Sequence, residues 1–136
     1  MDDKTLLIPD RIGNKRVDSF ENLITHPEVG LIYLIPSYGY TLRVSGTGQI
    51  VRDSTLQESL SVNGKAPSLI LAVTVEEAFM HCAKSISRAK IWKPDEWPDT
   101  SDVPSLSEAM VEHGKLTESR SEMQAIVDND FKNNMY

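Results

Sequence analysis

Apolar residues come in short runs separated by turn residues, and the runs fit strands and small helices. Thr5-Leu-Leu-Ile8, closed by Pro9, predicts a buried strand. Asp18 and Glu21 have the spacing of a capping box, which predicts a helix over Ser19 to Thr25 with Phe20, Leu23 and Ile24 on one face. His26-Pro27 stops it, because the residue before proline avoids the helical region. Val29 to Ile35 is almost continuously apolar, so it predicts a central strand covered on both faces. From Tyr40 to Arg52 the pattern alternates. Leu42 and Val44 point one way; Thr41, Arg43 and Ser45 point the other. Gly46 and Gly48 predict a bulge or bend in that strand.

Further along, Asp53 caps a short helix over Ser54 to Leu60, and Asn63-Gly64 is a turn. A strand follows from about Leu69 to Val75. Glu76 to Arg88 has good helix formers and an acidic start, so it predicts a helix with Phe79, Cys82, Ala83 and Ile86 on one face. Residues 93–104 are a proline-rich connector, with Trp92 and Trp97 as anchors on the body. Ser105/Glu108 and Ser119/Glu122 are two more capping boxes. Gly114 ends the first of these helices, and Met123, Ile126, Val127 and Phe131 give the second an apolar face. The order predicts an α+β fold, mainly β, with antiparallel strands forming a sheet or small barrel and a helical C-terminal tail. The expected division is a domain over 1–92 and a connector with packed helices over 93–136.

Composition narrows the function classes. At 136 residues with 40% hydrophobic and 25% charged content, the chain is one domain's worth of ordinary globular protein. A net charge of -6 without a basic stripe argues against nucleic acid. The acidic start Met1-Asp-Asp-Lys4 predicts no signal peptide, and no apolar run reaches membrane-spanning length, so the expected compartment is the cytoplasm. A single Cys82 rules out an intrachain disulfide, and three scattered histidines predict no metal site. His81 and Cys82, adjacent on a helix, would point apart and form no dyad, which leaves Cys82 as a core residue.

The polar candidates are cations. Arg11, Lys15 and Arg16 precede a helix start, a place that suits phosphate. Thr41 with Arg43, Lys15 with Arg16, and Lys84 with Arg88 would make an anion site if they converged. From the residues alone a solvated basic turn is the favoured reading of Arg11, Lys15 and Arg16, and a solvated strand face explains Thr41 and Arg43 as well as a site does.

Three segments in order then resemble one family. They are Ile8-Pro-Asp-Arg-Ile-Gly-Asn-Lys-Arg-Val-Asp-Ser-Phe-Glu-Asn22, His26-Pro-Glu-Val-Gly-Leu-Ile-Tyr-Leu-Ile-Pro36 and Thr41-Leu-Arg-Val-Ser-Gly46. Phe79-Met-His-Cys-Ala-Lys84 with Arg88 and Trp92 continues the match. Together they resemble the pyridoxamine 5′-phosphate oxidase-related FMN-binding proteins. The resemblance implies a split β-barrel, a homodimer and FMN at the subunit interface. It implies an oxidoreductase acting on a small-molecule substrate or electron donor. It also implies that Asn14, Lys15, Arg16, Asp18 and Ser19 contact the flavin phosphate. Thr41, Arg43, Lys84 and Arg88 would line the rest of the cofactor. Two barrel strands are expected before Thr5, one alanine-rich and followed by an SPRGD-like segment that also touches FMN. Without them the barrel is short and its edges invite another chain. The alternative is a non-catalytic module that dimerises, or binds flavin without turnover. Related barrels hold deazaflavin or haem, for which His81 is the axial candidate.

Overall fold

A computed structural model describes residues 2–13 and 16–134. Four strands form one antiparallel sheet: β1 (Thr5–Pro9), β2 (Glu28–Leu34), β3 (Thr41–Val51) and β4 (Ile70–His81), in the order β1-β4-β3-β2. Five α-helices join them among the described residues: α1 (Asp18–Thr25), α2 (Ser54–Ser59), α3 (Lys84–Arg88), α4 (Leu106–Gly114) and α5 (Arg120–Asn134). The fold class is α+β, as the strand and helix patterns predict, and it is consistent with part of a split barrel. The chain divides into two compact units, Met1–Trp97 and Pro98–Tyr136.

β3 and β4 are long because they pair along their whole length, from Thr41 opposite His81 to Val51 opposite Ile70. β1 covers only the first half of β4, and β2 only the first half of β3. The core lies where the strands overlap most. Ile70 and Val73 are completely buried, and Val44 nearly so. At Gly48 the missing side chain admits a helix. A Cβ there would stand 3.0 Å from Leu23 of α1 and 3.1 Å from Leu71. α1 therefore packs on the face of β3 that carries Leu42, Val44 and Gly48.

Five expectations change. The predicted helix over Glu76 to Arg88 is strand as far as His81, and only Lys84–Arg88 is helical. Glu, Ala and Met favour helix locally, but the first half of β3 has hydrogen-bonding groups that β4 satisfies, and pairing overrides propensity. Cys82 is exposed rather than in the core, since the helix that would have buried it does not form. β2 lies at a sheet edge with Ile32 59% exposed, so its apolar run is not covered on both faces. At α1 the capping box does not form. The helix begins at Asp18 behind Val17, no side chain caps it, and Asp18 instead binds Arg16. Ile24, expected on the packed face, is solvent-exposed.

The other caps form as predicted. Asp53 accepts from the Leu56 N–H at 2.9 Å and starts α2. Ser105 and Glu108 close a reciprocal box on α4, and Ser119 and Glu122 do the same before α5. Arg120 then bonds Glu108 at 2.8 Å and Glu112 at 2.6 Å, tying the two helices together. Hydrogen bonds from Ser105 hold Glu108 below the usual carboxylate range, and those from Ser119 do so for Glu122. A carboxylate held low in the folded state adds stability at neutral pH, which is lost as pH falls past its ordinary value near 4.5. Helical circular dichroism should therefore decline in acid. Ser105→Ala should weaken the unit by about 1 kcal/mol and reduce, without abolishing, that acid response, since the residue-105 backbone N–H still donates to Glu108.

Candidate functional site

Alternation along β3 puts Thr41, Arg43, Ser45 and Thr47 on the face opposite α1. The register then sets their neighbours in rows across the sheet. Arg43 stands between Ile32 of β2 and Phe79 of β4. Thr41 stands between Leu34 and His81, and Ser45 between Gly30 and Glu77. A bulge decides the β4 half of these rows. Glu76 is the extra residue: Val75 faces Gly46 and Glu77 faces Ser45. Beyond it the parity of β4 is reversed, and Glu77, Phe79 and His81 share a face with Arg43. Glu76 itself accepts a hydrogen bond from Thr47 at 2.8 Å.

Arg43 is the chemical centre of this face. It is half-buried, and its Nε is shielded from solvent with no hydrogen-bond partner among the described residues. Its row neighbours are apolar: Ile32 is 59% exposed and Phe79 43%. Leu34, one row on, is also exposed. A cation with an unmet donor, between flat apolar groups open to solvent, suits a planar ligand that carries negative charge. Gly30 adds room, since a Cβ there would meet nothing within 4 Å.

The other predicted residues fall in three places. Thr41 is buried at 6% exposure, one row from Arg43. Lys84 and Arg88 are exposed and one turn apart on α3, which begins three residues after His81 and so at the same end of the sheet. Trp92 fixes this segment by donating to the Tyr38 carbonyl in the β2–β3 turn at 2.6 Å. Arg16, Asp18 and Ser19 lie at the start of α1. Arg16 is exposed and holds Asp18 through two hydrogen bonds of 3.0 and 3.2 Å. Asn14 and Lys15 lie outside the described residues.

The body of α1 and Arg43 lie on opposite faces of the sheet. α1 packs over Gly48, on the opposite face from Arg43 and five residues away, about 17 Å along the strand. The sheet stands between them. Sequence reasoning missed Phe79, Glu77 and His81 as neighbours of Arg43, because it placed all three on a helix. Their alternation with Ala78 and Met80 was the available signal.

Comparison with known proteins bears on residues 1–82, which match the family model described as pyridoxamine 5′-phosphate oxidase. The chain belongs to this family. The match covers β1 to β4, so the Arg43 face lies inside the pyridoxamine 5′-phosphate oxidase domain, while α3 to α5 lie beyond the matched residues. The family's flavin-binding split barrel agrees with the antiparallel sheet seen here. No curated protein and no solved structure matches the chain. No helix among the described residues is long and apolar enough to cross a membrane, and none of their His, Cys, Asp and Glu side chains group as metal ligands.

Proposed function

We propose that this protein is an FMN-dependent oxidoreductase that works in the cytoplasm as a homodimer, with each flavin held between two copies. The observation that carries the reading is Arg43, a half-buried cation whose Nε has no hydrogen-bond partner among the described residues and which stands beside exposed Phe79 and Ile32. The donor set fits the cofactor. Arg43 and Thr41 would hold the flavin ring system, and Lys84 and Arg88 would add positive charge at the same sheet end. Lys15, Arg16 and Ser19, with Asn14 and Asp18 beside them, would hold the phosphate. When bound, FMN supplies hydride and electron transfer to a small-molecule substrate. The chain's own part is to bind and orient it and to exclude water through Ile32, Leu34 and Phe79.

The side of the sheet on which α1 packs supports the homodimer reading. α1 packs on the face opposite Arg43, so a ligand that meets both Arg43 and the cations before α1 would draw them from two copies. Exposed Ile32, Leu34 and Phe79, on the face of Arg43, supply apolar surface for that contact. The purified protein should therefore take up FMN in a saturable titration followed by flavin fluorescence, and should run as a dimer. Failure to bind added FMN contradicts the reading. Binding with no reduction by any dithionite-free electron donor, such as a reduced nicotinamide, would leave a flavin carrier rather than an enzyme.

A further inference from the structure

Arg43 carries a positive charge that its own chain leaves unbalanced. A guanidinium stays protonated at any working pH. Glu77 stands opposite Ser45 and is therefore the diagonal neighbour of Arg43 across the β3–β4 pair. Even so, Arg43 forms no ion pair with it or with any other described residue. Glu77 is exposed, and Glu76, the other carboxylate at the bulge, accepts from Thr47 instead. The residues directly beside Arg43, Ile32 and Phe79, are apolar. Its Nε is already shielded from water. A flat ligand laid over this row would take the rest of the guanidinium out of water too.

We infer that Arg43 poises the cofactor: it holds the reduced flavin more tightly than the oxidised one and so raises the midpoint potential of the bound FMN. The inference rests on the flavin reading above. Taking an unpaired charge out of water is costly, and a countercharge offsets the cost. The oxidised ring system is neutral and offers the guanidinium only acceptor atoms. Two electrons and one proton convert it to a ring that carries a negative charge at neutral pH. Both states cover Arg43 and meet its N–H donors, but only the reduced state supplies the countercharge. Charge near the ring nitrogens is one way in which a protein tunes a flavin. The phosphate charge, held by the cations before α1, is the same in both states and cancels from the difference. A hydrogen bond between two ions exceeds one to a neutral acceptor by enough for about a tenfold difference in affinity. For a two-electron couple, tenfold corresponds to about 30 mV.

The test is the midpoint potential of bound FMN at neutral pH, by dithionite titration against a reference dye, together with the dissociation constant of oxidised FMN. Wild type, Arg43→Met, Arg43→Gln and Arg43→Lys are compared. Arg43→Gln keeps an N–H donor and loses the charge, and it serves if Arg43→Met folds poorly. Both should lower the midpoint by about 30 mV, because reduced FMN loses about tenfold more affinity than oxidised FMN does. Arg43→Lys, which keeps the charge, should stay near the wild-type potential. An unchanged midpoint in Arg43→Met and Arg43→Gln, or a fall in Arg43→Lys as large as theirs, overturns the poising role and leaves the flavin reading standing. Absence of FMN uptake by the wild type overturns both.

Discussion

Gly46→Ala should unfold this protein or bring it close to unfolding, with a loss of about 3–5 kcal/mol in urea denaturation. The cause is backbone against backbone. At the bulge β4 approaches β3 so closely that a Cβ on Gly46 would overlap the Thr74 carbonyl oxygen and lie 3.2 Å from the Val75 Cα. Neither atom belongs to a flexible side chain, so relief requires the two longest strands to part. Domains of this kind are stable by only about 5–15 kcal/mol, so the loss is a large share of the total. The same bulge sets the parity that puts Glu77, Phe79 and His81 beside Arg43. A partly folded Gly46→Ala protein should therefore lose flavin binding as well. A change below about 1 kcal/mol would show that the bulge is not at Glu76.

Arg43→Met should act in the opposite way, weakening FMN binding about ten- to hundredfold while leaving thermal stability equal or raised. A hydrogen bond to a charged group is worth about 1.5–3 kcal/mol, which gives the expected range in affinity. Stability does not suffer because Arg43 Nε has no partner to lose among the described residues. Methionine keeps the contact with Ile32 and Phe79 and removes a desolvated donor. Paired measurement of melting temperature and FMN affinity checks both halves. A large fall in melting temperature with unchanged affinity would make Arg43 a structural residue.

How far the sequence carried these conclusions depended on whether the deciding force was local. Capping is local, so Asp53, Ser105 and Ser119 marked their helices correctly. Alternation is local too, and it separated Thr41 and Arg43 from Leu42 and Val44. The second half of β4 was illegible because Glu-Glu-Ala-Phe-Met favours a helix in isolation. Its strand state is imposed by the matching length of β3, a non-local partner. An apolar run reads alike in a central and an edge strand, which hid the exposure of Ile32 and Leu34. Asp18 offered a capping side chain, yet a nearby guanidinium, Arg16, took it instead. The placement of α1 on the face opposite Arg43 turned on Gly48, whose empty side chain admits Leu23 there. Nothing in the spacing of α1 and Arg43 along the chain encodes that.

The central claim is that two copies build each flavin site, one supplying the cations before α1 and the other supplying Arg43. Mixing two inactive variants tests it directly. Lys15→Ala/Arg16→Ala and Arg43→Ala proteins should each bind FMN weakly alone. After subunit exchange, a mixed dimer would carry both defects in one site and none in the other. Flavin titration of the mixture should then recover a fraction of sites with wild-type affinity. If no tight site appears although exchange is verified by mass, each site lies within a single chain and the account is wrong.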